Sequence, residues 1–152
     1  LYFEDRLTIQ YQIQEMLRIE KIFESAGIEE ELKAYNPLIP DGRNWIATMM
    51  IEYGDAEERA KHLARLMGIE DKVWLCINGL EHISPIADED LERTTEEKTS
   101  AVHFLRFELT DDMAATLKQG ASMQAGVEHS NYRHTLELVP GNIRESLLAD
   151  LD

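Results

Sequence analysis

The stretch Thr99–Leu109, TSAVHFLRFEL, limits the fold more than any other part of the chain. It is rich in β-branched and aromatic residues and alternates cleanly, which predicts a β-strand. Ala101, His103, Leu105, Phe107 and Leu109 share one face, and Val102, Phe104, Arg106 and Glu108 share the other. Good apolar content on both faces places such a strand inside a sheet. His103 falls in phase with the more apolar face. A buried imidazole must be hydrogen-bonded or ligated, so His103 is either a satisfied core residue or a member of a site.

At 152 residues the chain is expected to form a single domain, residues 1–152, burying roughly two-thirds of its unfolded surface. Thirty acidic residues against fifteen basic ones leave a formal net charge of −15. Such a surface repels phosphate, which argues against nucleic acid and anionic membranes as partners. No segment approaches the run of about 20 apolar residues that a membrane helix needs, and none has a signal-peptide pattern. The lone cysteine, Cys76, excludes an internal disulfide and any cysteine-rich metal centre. Its alternation with Trp74 favours a buried thiol over a nucleophile. The expected location is the cytoplasm.

Periodicity and turn residues order the other elements. Leu1–Glu4 is the end of a strand. With Thr8 as its cap, a long helix is expected to run to about Ser25 and to stop at Gly27. Ile9, Ile13, Met16, Leu17, Ile19, Ile22 and Phe23 form its apolar stripe. Glu29–Ala34 adds a helical turn. Tyr35–Asn44 holds two prolines and Asp41-Gly42, so it is a stiff loop whose Arg43, Asn44 and Trp45 either line a pocket or anchor the connector. Trp45–Tyr53 is a strand, and Asp55 begins a helix ending at Gly68. Lys72–Asn78 is a strand that turns at Asn78-Gly79 into Leu80–Ala87, where Pro85 implies an edge or a bulge. Asp88–Glu97 carries six carboxylates without calcium-loop spacing and is expected to be an exposed helical linker. Thr110 caps a helix closed by Gly120. Ala121–His129 and Tyr132–Val139 make a hairpin about Ser130-Asn131. A last helix docks through Ile143, Leu147, Leu148 and Leu151.

This order contains one unit twice, over residues 45–87 and 101–139. Gly68 aligns with Gly120, Asn78 with Ser130 and His82 with His134 at an offset of 52, while Asp55 aligns with Asp111 at 56. The difference of four is about one helical turn. The fold expected is α+β: a mostly antiparallel sheet from two βαββ-like units, with the long N-terminal helix packed across it.

Hairpin geometry puts Val127, His129, Tyr132 and His134 on one face. Together with His103, and His82 if the units are symmetric, these imidazoles offer a histidine layer that suits zinc or iron. The alternative is a hydrogen-bonded core His103 beside exposed hairpin histidines. His62 is read as a solvated helix residue. Gln10, Gln14 and Arg18 recur along one helix face. With Arg43, Trp45, Arg106 and Glu108 they outline a polar pocket, although Glu–Arg pairs of this kind are commonly structural. No nucleophile elbow, phosphate-cradling loop or dinucleotide fingerprint is present.

QIQEMLRIEKIFE (Gln12–Glu24), AYNPLIPDGRNWIATMMIEY (Ala34–Tyr53), ADEDLER (Ala87–Arg93), EKTSAVHFLRFEL (Glu97–Leu109) and YRH (Tyr132–His134) resemble the bacterial family catalogued as domain of unknown function 3501. The resemblance implies a further N-terminal segment in typical members and no established activity, so it assigns no catalytic residues. Genes of that family stand beside rubrerythrin-like and iron–sulfur oxidoreductase genes. The resemblance therefore implies a non-catalytic cytoplasmic accessory protein, partnered with a redox or peroxide-protection system. A metal-binding protein or metalloenzyme built on the histidine layer is the alternative. A sheet edge at the Pro85 strand permits a homodimer.

Overall fold

The strand that anchors the fold forms as its alternation requires. Val102–Glu108 buries His103, Leu105 and Phe107 on one face and leaves Val102, Phe104 and Arg106 half-buried on the other. In the computed structural model, which describes residues 1–90 and 92–152, it is the sixth of eight strands. The chain is α+β, with five α-helices and two antiparallel four-stranded sheets among the described residues. The strands are β1 (Tyr2–Glu4), β2 (Asn44–Met50), β3 (Val73–Ile77), β4 (His82–Ile83), β5 (Ile86–Ala87), β6 (Val102–Glu108), β7 (Met123–His129) and β8 (Tyr132–Leu136). The helices are α1 (Arg6–Glu20), α2 (Ser25–Tyr35), α3 (Ala56–Arg65), α4 (Asp111–Lys118) and α5 (Gly141–Ala149).

The strands divide between two sheets, ordered β1-β2-β6-β5 and β4-β3-β7-β8. A single sheet is expected from the sequence, but each unit divides its strands between the two sheets. Leu80–Ala87 is where the chain changes sheets. Pro85 offers no N–H to a ladder, so the segment splits into β4, an edge of the second sheet, and β5, an edge of the first. In each sheet the central pair joins the two units, β2 with β6 and β3 with β7. Helices α3 and α4 differ by two residues, 10 against 8, rather than by a full turn.

Both sheets bury one face in the same core. Trp45, Leu105 and Phe107 meet Leu75, Ile77 and Met123 there, with Leu117 of α4 and Leu147 of α5. Trp45 is fully buried, and its Nε1–H donates to the Leu147 carbonyl at 2.9 Å. It anchors the end of the connector against α5. Leu147 of α5 and Leu151 just beyond it are buried, while Ile143 is 41% exposed.

The N-terminal helix departs most from expectation. Asp5 is the N-cap, accepting from Thr8 N–H at 2.7 Å, while the Thr8 hydroxyl accepts from Asp5 N–H at 2.9 Å. Thr8 is thus the inner partner of a capping box. The helix ends at Glu20, where Lys21 takes a left-handed φ of +56°. Gly27 lies inside α2, where an added Cβ would stand 2.6 Å from Ile22 Cγ2, so it serves close approach and not termination. In place of one helix laid across a sheet, α1 and α2 form a helical hairpin beside β1. Ile9 and Ile13 are buried, but Ile19 and Phe23 stay exposed.

Asp88–Glu97 forms no helix among the described residues, and Leu91 lies outside them. No described helix is long and apolar enough to cross a membrane.

Candidate functional site

The phase of β6 carries His103 into the interior, and its ring finds partners on both nitrogens. Nδ1 lies 2.5 Å from Asp88 Oδ2. Nε2 lies 2.9 Å from Thr99 Oγ1 and 3.1 Å from the Ser100 carbonyl oxygen. Asp88 follows β5 directly and has a left-handed φ of +49°, a conformation that aspartate tolerates better than most residues. That conformation lets the residue extend the β5–β6 ladder. Its N–H donates to the Phe104 carbonyl at 2.9 Å, and its Oδ1 accepts from Phe104 N–H at 2.9 Å.

Glu70, in a 3₁₀ turn between α3 and β3, is buried. Its Oε1 accepts from the Thr94 hydroxyl at 2.6 Å. Its Oε2 lies 3.4 Å from Thr99 Oγ1 and 3.9 Å from His103 Nε2. The result is a polar chain, Asp88–His103–Thr99–Glu70, drawn from three segments: the connection between β5 and β6, β6 itself and the 3₁₀ turn. Arg93 closes one side, with its guanidinium 4.7 Å above the Phe104 ring and ion-paired to Asp90. Its Nε lies 3.1 Å from Asp88 Oδ1 but outside hydrogen-bond geometry. A cavity of about 290 Å³ opens beside the cluster, lined by Glu70, Asp71, Asp88, Glu92, Arg93 and Thr94.

The carboxylate at Nδ1 fixes a proton there, so in the neutral ring the Nε2 lone pair accepts from the Thr99 hydroxyl and the Ser100 carbonyl is a contact without a hydrogen bond. The series carboxylate–imidazole–hydroxyl has the order of a nucleophilic triad, but Thr99 is only 1% exposed. No external carbonyl reaches that oxygen. Glu70, Asp88 and His103 each offer a ligand atom, all within 4.8 Å of one another.

The other histidines lie apart from this cluster. His129 is buried and satisfied, with Nε2 donating to the Met67 carbonyl at 3.1 Å and Nδ1 accepting from Asn131 N–H at 3.1 Å. His134 is exposed on β8 opposite Val127. His82 pairs with Cys76 and so lies on the other face of that sheet, stacked on Trp74 with ring centroids 4.0 Å apart. His62 stacks on Tyr53 at 4.3 Å. Cys76 is buried, its thiol donating to the Leu80 carbonyl at 3.1 Å.

The glutamine–arginine row does not meet the sheet. Gln10 and Gln14 are exposed, and Arg18 pairs with Glu15 at 2.7 Å, which holds that carboxyl below its usual range. Arg106 pairs with Glu89 at 2.7 Å and with Glu108. Arg43 is exposed, 4.0 Å from Asp111. Asp88, Glu70, Thr94 and Thr99 are the cluster members that the sequence did not single out. Only Asp88 left a trace there, as the first acid after the Pro85 strand.

A crystal structure of a protein of unknown function from Burkholderia pseudomallei matches with 54% sequence identity and a TM-score of 0.91, covering 99% of this chain and 78% of that one. No curated protein matches. The family model described as "protein of unknown function (DUF3501)" matches residues 1–151, and the chain belongs to that family.

Proposed function

We propose that the protein is a non-catalytic accessory protein that holds one transition-metal cation, zinc or iron, in the Glu70–Asp88–His103 cluster. The observation that carries this reading is the 3.9 Å separation of His103 Nε2 from Glu70 Oε2. Bonds of about 2.0–2.2 Å to each atom span that distance, and a tetrahedral ion would draw the pair to about 3.4 Å. Rotation of the Glu70 side chain supplies the difference. Asp88, on the opposite ring nitrogen, has the place of the carboxylate that orients a ligating histidine. Thr99 Oγ1 now bridges Nε2 and Oε2, so an ion entering from the Glu70–Arg93 cavity displaces that hydroxyl. The buried Thr99 hydroxyl leaves no accessible nucleophile, which supports a binding role. The cytoplasmic redox or peroxide-protection setting comes from the gene neighbours that the family resemblance implies.

A second reading rests on the same hydroxyl. With Thr99 2.9 Å from Nε2, the network is complete without an ion and acts as a polar clamp. Equilibrium dialysis of untagged protein against Zn²⁺, and against Fe²⁺ without oxygen, separates the two. Metal binding predicts one equivalent retained after chelator treatment of the bulk solution, lost in His103→Ala and in Glu70→Gln with the circular dichroism spectrum intact. Binding below one-tenth of an equivalent, or binding unchanged in Glu70→Gln, rejects the metal in favour of the clamp.

A further inference from the structure

Strand β8 is an open sheet edge. All five of its residues are exposed, and it ends the order β4-β3-β7-β8. The other sheet edges among the described residues are shorter: β1 has three residues, and β4 and β5 have two each. That includes both strands beside Pro85. A five-residue edge of free backbone groups invites another strand.

The backbone decides which residues look outward. His129 and Tyr132 flank a two-residue turn, so they exchange hydrogen bonds. Antiparallel alternation then directs the N–H and C=O of Arg133 and Thr135 away from β7, and Glu137 follows in a bend just past the strand. The side chains of these three lie on the outer face: Arg133 is opposite Glu128, Thr135 is opposite Gly126, and Glu137 accepts from Gln124 Nε2 at 3.2 Å. On the inner side Tyr132 is 49% and Leu136 42% exposed.

We propose that two copies of this chain associate through β8, antiparallel and centred on Thr135, to make one continuous eight-stranded sheet. Arg133 then lies opposite the partner's Glu137, and Glu137 opposite the partner's Arg133. Thr135 faces the partner's Thr135 across a hydrogen-bonded pair. His134 faces the partner's Leu136, which covers that half-exposed side chain. Neighbouring twofold registers lose this match. Centring on Arg133 or on Glu137 sets like charges opposite each other, and centring on His134 or on Leu136 pairs neither charge with its opposite. Arg133 is also uncommitted within its own chain: among the described residues no carboxylate lies within 4.0 Å of it. The symmetric charge match identifies the occupant as a second copy, since a foreign strand would have no reason to complement β8 read backwards.

Sedimentation velocity over a concentration series from micromolar to millimolar tests the pairing in the full chain. The wild type should show a reversible monomer–dimer equilibrium. Arg133→Glu and Glu137→Arg should each weaken the dimer by about tenfold, because each sets two like-charge pairs across the interface. The double reversal should restore it. Both side chains are exposed, so thermal melting should remain at the wild-type temperature and mark each variant as folded. A wild type that stays monomeric at all concentrations overturns the proposal. So does a dimer indifferent to the single reversals, or a double variant as weak as either single one.

Discussion

Asp88 divides its two oxygens between Phe104 N–H and His103 Nδ1, and this division makes Asp88→Asn an informative perturbation. An amide has one oxygen and one NH₂. If the oxygen keeps Phe104, the NH₂ faces Nδ1 and forces the ring proton to Nε2, which removes the lone pair now facing the Thr99 hydroxyl. If the oxygen keeps His103, the NH₂ confronts the Phe104 N–H. Either way one charge-assisted bond is lost in a place where the Asp88 side chain is only 10% exposed. The cost should be about 2 kcal/mol. Asn accepts the left-handed φ of +49°, so backbone strain adds little. In a His103→Ala background the competition disappears, since the amide oxygen is free to serve Phe104, and the same change should cost about 0.5 kcal/mol. The double-mutant cycle should therefore return a coupling of about 1.5 kcal/mol. Urea unfolding followed by the fluorescence of Trp45 and Trp74 measures all four corners. Additivity within about 0.5 kcal/mol would refute the shared-carboxylate reasoning.

Two other perturbations test the framework. In Gly126→Ala the new methyl meets the Trp74 indole, which lies over Gly126 and carries the His82 stack. Destabilisation of about 1–3 kcal/mol with a shifted tryptophan emission is expected, and wild-type emission and stability would show that the indole moves aside freely. Glu89 donates the sign for a pH test: its hydrogen bond to Arg106 holds the carboxyl below its ordinary value. A depressed folded value gives stability that is present above the unfolded pKa and lost as pH falls through the folded one. With side chains 26% and 49% exposed, the pair contributes about 0.5 kcal/mol. Glu89→Gln should cost that much at pH 7 and progressively less as pH falls below the ordinary carboxylate range, by chemical denaturation at each pH; a pH-independent difference contradicts the assignment.

Local chemistry made part of this fold legible. The alternation of Thr99–Leu109 put His103, Leu105 and Phe107 on the buried face, and Ser130-Asn131 placed the β7–β8 turn. What failed depended on long-range partners. Lys21 ends α1 in a left-handed turn without being glycine, so the helix break had no residue signature, and Gly27 drew attention to the wrong place. His82 and His134 align in sequence, but one lies opposite Cys76 and the other opposite Val127. Val127 pairs with Val73, three positions from Cys76, so the two histidines look to opposite faces, and an odd offset in the pairing undoes a shared layer. Glu70 gave no sign at all, because a 3₁₀ turn carries no periodicity and its partners Thr94 and Thr99 lie 24 and 29 residues away.

The location of the cluster follows from what differs between the two units. After β4 the chain crosses to the first sheet, forms β5 and then runs through residues 88–101 before entering β6. After β8 it goes instead into α5. Only the first crossing brings a polar segment over the buried face of β6, and that segment supplies Asp88, Arg93, Thr94 and Thr99. The framework contributes only His103 and Glu70. His103 stands opposite Met49 in the β2–β6 register, so the central pair has an imidazole on one strand and an apolar side chain on the other. A buried imidazole at that position needs acceptors, and the crossing segment supplies them. The segment in turn has few apolar anchors among its described residues, and Asp88 and Thr94 tie it to the core through His103 and Glu70. Any change in what His103 Nε2 or Glu70 Oε2 binds therefore alters the tether of residues 88–99 directly, through the Thr94–Thr99 hydroxyl pair at 3.0 Å.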